Sequence, residues 1–422
     1  MPPSPPAARG DLALASLYAL SLVGFPLVSI APLLFGVPGR PISIAFRALV
    51  LALALYLVAR RALAGAARLR GPPLWCFSLL WLLLSIRLVW DATVVPLPVA
   101  IEWSDYFAFA FGVSLLPAIA MAELPSRATL QRAAWLTHVL GTLALVGIAL
   151  LGARMLLSGR LITRLATDTL NPASVGYHAV TVFITAVATR AALSGRRGGW
   201  PAAGRALQLA VMLAAIAVTV ASGSRGPVIA LSLVMGLTAV APMAGGRSQP
   251  RRLLRIAGLA VLVVAVVAAS SLVEELSSLA PTSRIAAVAE DESTAERVVM
   301  LRAAWEQFAS HPWLGDQLVE RAYRSYPHNM FLEAGMSLGI AGVVCLLGFS
   351  LTALAAALRN YRAGWEYAWL GLLLIVYLVA SVISGALIFL SQFWALAIAA
   401  LVADAARRAG PAGQLITRQQ NG

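Results

Sequence analysis

Tyr326-Pro327-His328-Asn329-Met330-Phe331-Leu332-Glu333 is a polar, histidine-bearing stretch that leads straight into an apolar run ending near position 356. About 20 apolar residues in helical form cross the hydrocarbon core of a bilayer. The stretch therefore reads as the mouth of a membrane span. Outward from it, similar runs predict spans over roughly 12–35, 42–59, 74–90, 103–121, 133–152, 173–193, 205–222, 227–243, 254–272, 328–356, 366–383 and 386–403. Segments this long are helices, since barrel strands are half their length and alternate in polarity. The expectation is an all-α integral membrane protein of about 12 helices, one polytopic unit over 1–422. The first run exceeds a signal-peptide core and is expected to remain as the first span.

Composition agrees. The 422 residues are 60% hydrophobic and only 12% charged, with mean hydropathy +0.83. Soluble domains carry about 25% charged residues. The net charge of +14 comes from arginine alone. Most of these arginines fall in short loops between spans, where membrane orientation places them, so nucleic acid is not the expected partner. Cys76 and Cys345 fall inside predicted spans as small apolar residues, and their spacing suits neither a disulfide framework nor a metal site.

Arg60, Arg61, Arg68 and Arg70 share a loop. Every second loop after it is arginine-bearing, and Arg407 and Arg408 follow the last span. By the positive-inside rule these loops and both termini are cytoplasmic. Arginines in three of the other loops oppose that bias. They are Arg154, Arg160 and Arg164 in 153–172, Arg225 in the turn Ser222-Gly223-Ser224-Arg225-Gly226, and those of the long loop 273–327. Guanidinium groups grip phosphate through paired hydrogen bonds, so an anionic ligand is the natural reason for them. Arg47 and Arg87 fall inside spans near the same side, where a charge faces a cavity or reaches the headgroups.

The long loop carries Ser293-Thr294-Ala295-Glu296, a capping box, which predicts a short amphipathic helix over about 294–309. Val298, Leu301, Trp305 and Phe308 form its expected apolar stripe. His311-Pro312 should end it, and Pro312-Trp313-Leu314-Gly315 should turn. His328, at the span mouth, carries the one chemistry such a site most needs: imidazole titrates near neutral pH and accepts a proton from a hydroxyl. His138, in mid-span, reads as a hydrogen-bonded core residue. Glu290-Asp291-Glu292 is the acidic run best placed for a metal, but adjacent carboxylates more often form a solvated run, and no metal ligand is assigned.

Asp291 to Arg297, Trp305, His311-Pro312-Trp313-Leu314-Gly315, His328 to Glu333, and Gly335, Gly339 and Gly342 together resemble the C-terminal signature of bacterial O-antigen ligases and their polymerase relatives. The turn Ser222 to Gly226 is similar to the Ser-Arg-Gly motif earlier in those proteins. Asp316 departs from the pattern, which often has a second small residue there. The resemblance implies a fold like that of the membrane glycosyltransferases of the C class, which use polyprenyl-linked donors. It also implies a reaction: transfer of O-antigen polysaccharide from undecaprenyl pyrophosphate to a sugar hydroxyl of lipid A–core, at the periplasmic face of the inner membrane. His328 is then the expected general base, and Arg225 and Arg297 the expected pyrophosphate ligands. Arg154, Arg160, Arg164, Asn329, Arg47 and Arg87 are candidate substrate contacts. No cofactor or metal is expected, and a single displacement would invert the anomeric centre. An O-antigen polymerase is the nearest alternative, and an anionic-lipid transporter or flippase the alternative of a different class.

Overall fold

The computed structural model describes residues 7–63, 71–94, 99, 101–157, 164–167, 170–194, 202–240 and 298–419. Among these residues there is no strand. The helices are α1 (Leu12–Ser29), α2 (Gly39–Leu63), α3 (Pro72–Thr93), α4 (Trp103–Ala120), α5 (Arg127–Leu157), α6 (Pro172–Ser194), α7 (Ala202–Ala221), α8 (Arg225–Val240), α9 (298–310), α10 (Met330–Ala363), α11 (Trp365–Ile383) and α12 (Ser391–Gln419). Nine of those described are long and apolar enough to cross a membrane. The chain is an all-α, multi-pass membrane protein. Every span expected from the sequence coincides with one of these helices except 254–272, which lies outside the described residues.

α6 and α11 occupy the interior, with α5, α7 and α8 around α6, and α8, α10 and α12 around α11. Where α3, α10 and α12 meet, Phe77, Trp81, Phe349, Phe393 and Trp394 form a buried aromatic cluster with ring centroids 5.0–6.3 Å apart. Lipid tails are as apolar as leucine, so helices within a bilayer associate through close packing and polar bridges. Such bridges recur here. His138 Nε2 meets Gln208 Oε1 at 3.1 Å, Gln208 Nε2 donates to Ala186 O at 3.1 Å, and Asn360 Nδ2 donates to Ala400 O at 2.8 Å. His138 is thus the hydrogen-bonded core residue its position suggested.

One end of the bundle carries the ion pairs of Arg60 with Glu123 at 2.5 Å, Arg127 with Glu366, and Asp404 with Arg359, Arg407 and Arg408. The other end carries the loop between α9 and α10, with His328 at its close.

Three local features depart from the sequence reading. First, α9 packs on a face rotated from the expected stripe, which keeps Leu301 and Phe308 half-buried. Ala304 and Gln307 are buried, while Val298 and Trp305 are 61% and 58% exposed. Small Ala304 lets the helix approach closely, and Gln307 supplies polar contacts, with Nε2 donating to Val319 O and Oε1 accepting from Arg321 N, both at 3.3 Å. Second, α10 is broken at Gly339, whose φ of 68° and ψ of −162° are non-helical. Third, 384–390 is not helical, so α12 begins at Ser391, later than the expected 386.

The first break has a clear cause. Gly315, also at φ 68°, and Gly339 face each other's backbone. A Cβ on Gly339 would lie 2.3 Å from Trp313 O, and one on Gly315 would lie 2.3 Å from the Ser337 carbonyl carbon. Only glycine tolerates both the positive φ and the approach. Asp316 N donates to Met336 O at 2.8 Å and Ile340 N to Pro312 O at 2.7 Å, satisfying groups that the kink releases. The turn Pro312 to Gly315 is therefore built into α10.

Candidate active site

The loop 311–329 is strapped to the bundle on two sides. Arg87 Nη1 donates to Asp316 O at 2.6 Å, and its Nη2 to Leu314 O at 2.8 Å. Leu318 N donates to Asp91 Oδ2 at 2.7 Å, and Asp91 in turn lies 3.6 Å from Arg87. Arg87 is one of the candidate substrate contacts. These donors hold loop carbonyls, a low-cost arrangement for a guanidinium near a membrane interface. Asp316, the departure from the family pattern, binds Arg321 through both oxygens at 2.7 and 2.6 Å and holds that guanidinium more firmly in its charged form.

This strapping delivers His328 in an unusual backbone state. Its φ is 56°, the left-handed region that non-glycine residues enter at a cost of about 1–2 kcal/mol. Pro327 before it is buried, and Asn329 after it caps α10, with Oδ1 accepting from Phe331 N at 3.1 Å and Leu332 N at 3.0 Å. Asn329 Nδ2 donates to Val382 O at 3.1 Å, linking the cap to the end of α11. The structure thus uses Asn329 to position the backbone beside His328. The half-buried imidazole stands edge-on to Tyr326, centroids 4.6 Å apart.

Below the cap, Glu333 is 1% exposed, and its Oε2 accepts from Leu387 N at 2.8 Å. Trp394 Nε1 donates to Leu387 O at 2.9 Å, and Ser114 Oγ to Ile388 O at 2.7 Å. The break at 384–390 therefore has partners for its exposed backbone groups. Glu333 clamps it.

The turn before α8 meets the same corner. A Cβ on Gly226 would lie 3.5 Å from Ile383 Cγ2, adjacent to the Val382 that Asn329 holds. Arg225 is exposed at the first position of α8, after Gly223 at φ 61°. Leu165 N donates to Ala221 O at 2.9 Å, which sets exposed Arg164 beside that turn. Arg154 is exposed in the last turn of α5, whose Gly152 packs on Leu165. The structure brings Arg164, Arg225, His328 and Asn329 to one end, with Arg154 nearby. Arg160, Arg297 and Glu290-Asp291-Glu292 lie outside the described residues.

Sequence reasoning missed the half-buried row that leads away from His328. Tyr326 lies 5.5 Å from Phe389, Phe389 lies 4.9 Å from Phe109, and the Arg47 guanidinium sits 4.1 Å over the Phe109 ring. These rings belong to three distant segments, and a period-based reading of each span cannot join them.

No curated protein matches the chain. Residues 210–347 match the family model for O-antigen ligase, a stretch that takes in Arg225, the α9 helix, the Gly315–Gly339 joint and His328. Over that stretch, about a third of its length, the chain is similar to the O-antigen ligase family.

Proposed function

We propose that the chain is the ligase that transfers O-antigen polysaccharide from undecaprenyl pyrophosphate to a sugar hydroxyl of lipid A–core. The observation that carries the proposal is the convergence of the left-handed His328 and the Arg225 turn on the Val382–Ile383 end of α11. Strained non-glycine backbone held by surrounding bonds is a recurrent mark of reacting sites.

The chemistry divides between two residue types. The acceptor oxygen attacks the anomeric carbon, its proton passes to the His328 imidazole, and the carbon–oxygen bond to pyrophosphate breaks. Arg225 and Arg297 stabilise the charge that grows on the departing diphosphate, with Arg154, Arg160 and Arg164 guiding the donor. Cationic donors fixed in a poorly hydrated site act strongly because they need no reorganisation during the step. One base, with no carboxylate assigned as nucleophile among the described residues, supports a single, inverting displacement.

The site faces the periplasm in this reading, and the arginine-paired end of the bundle faces the cytoplasm, with both termini. The membrane is the bacterial inner membrane. Purified protein given lipid A–core and lipid-linked O-antigen should form full lipopolysaccharide, and His328→Ala should abolish that product while the donor still binds. Extension of the lipid-linked glycan alone would identify a polymerase. Lipid translocation that survives His328→Ala, without any transfer, would identify a flippase.

A further inference from the structure

A crevice of about 350 Å3 lies among α1, α2 and α4, on the far side of the aromatic row from His328. Its character is divided. Phe25, Pro32 and Ile44 give it apolar surface, and Arg40, Arg47 and Asp105 give it charge. Ser43 Oγ, also on its lining, is enclosed and has no hydrogen-bond partner among the described residues. Buried hydroxyls are nearly always satisfied, so one left open on a cavity calls for a polar ligand atom.

Arg47 is held but not consumed. Its Nη1 lies 3.9 Å from Asp105, too long for a bidentate pair, and its guanidinium rests on Phe109. Arginine has five N–H donors. A stacked guanidinium beside apolar surface and a second arginine is suited to an anion attached to a lipid.

We propose that this crevice anchors a phosphate of the acceptor glycolipid, against Arg47, Arg40 and Ser43, with its acyl portion on the apolar side. The inference rests on the ligase reading above and gives it an acceptor site separate from the donor arginines. The row Phe109, Phe389 and Tyr326 then leads from the anchored phosphate to His328, in contacts of 4.1, 4.9, 5.5 and 4.6 Å counted from Arg47. Flat apolar ring faces along that path suit the C–H faces of the intervening sugars. Asp105 opposes an anion at Arg47, which sharpens the test.

The full-length protein in phosphatidylcholine nanodiscs supplies the assay. Arg47→Ala should raise KM for lipid A–core about tenfold, the loss of one charge-assisted contact, with donor KM unchanged. Asp105→Asn should lower acceptor KM, and dephosphorylated lipid A–core should be indifferent to both changes. Native mass spectrometry reads binding without turnover, so it reports even if ligation itself is not observed. Lipid A–core should be retained less by Arg47→Ala than by wild type. An unchanged acceptor KM and retention would overturn the proposal, as would weaker binding by Asp105→Asn. Equal weakening for phosphatidylglycerol would overturn the acceptor assignment in favour of a bulk phospholipid site, and competition by inorganic phosphate alone would reduce the site to a simple anion pocket.

Discussion

Glu333 Oε2 accepts a hydrogen bond from Leu387 N at 2.8 Å, which couples the helix that follows His328 to the break between α11 and α12. Removing the acceptor leaves a buried amide unpaired, at about 1–3 kcal/mol. Glu333→Ala should therefore lower the thermal midpoint in detergent. Glu333→Gln keeps an oxygen acceptor and should stay close to wild type in both midpoint and transfer rate. A Gln variant as damaged as the Ala variant would assign the carboxylate a chemical duty beyond clamping.

His328 predicts two effects that separate chemistry from backbone. Loss of the imidazole should reduce transfer about 10²–10⁴-fold, the usual range for a general base. Glycine relieves the left-handed φ of 56°, so His328→Gly should be the more stable of the two inactive variants, by about 1 kcal/mol. Differential scanning fluorimetry of both variants checks the second effect. Equal midpoints would remove the argument from strain.

The Gly315–Gly339 joint should be intolerant of a single methyl. Alanine at either position meets backbone at 2.3 Å and a positive φ, a combination worth about 2–4 kcal/mol. Reduced membrane yield and a lower midpoint are expected from Gly315→Ala and Gly339→Ala alike. Gly364, at φ 125° with open space around it, provides the contrast, since its alanine variant bears only the conformational penalty. Similar losses at all three would show that close approach is not what matters.

In this reading arginine supplies the positive charge opposite the diphosphate, so transfer should continue unchanged after chelation. Loss of activity with EDTA and recovery with Mg²⁺ would refute it. Product NMR should show the anomeric centre inverted, and retention would require a covalent intermediate that the single-displacement scheme lacks.

Most of the architecture was legible because apolar length is a direct physical signal. A run such as 173–193 has few alternatives to a spanning helix, and α6 appears there. The mouth residues His328 and Arg225 were legible for the complementary reason that charge is conspicuous against such a background. What failed to show was geometry dictated by neighbours. Val298 and Trp305 looked like an inward stripe, yet an apolar side chain at a membrane protein's edge has lipid and headgroups as further partners, and the small Ala304 was the residue that packed. Nothing in the local sequence of Arg87 and Asn329 announces the carbonyls of Leu314, Asp316 and Val382 that they hold. The kink at Gly339 depended on a loop turn more than 20 residues away.

That kink also bears on how such a protein can diversify. Main chain meets main chain there, so the junction itself demands two glycines and makes no use of the Trp313 and Leu314 side chains. Trp313 and Leu314, 73% and 80% exposed, project from a scaffold that does not depend on them. In the ligase reading, side chains at those outward positions can change without rebuilding the framework that presents the histidine.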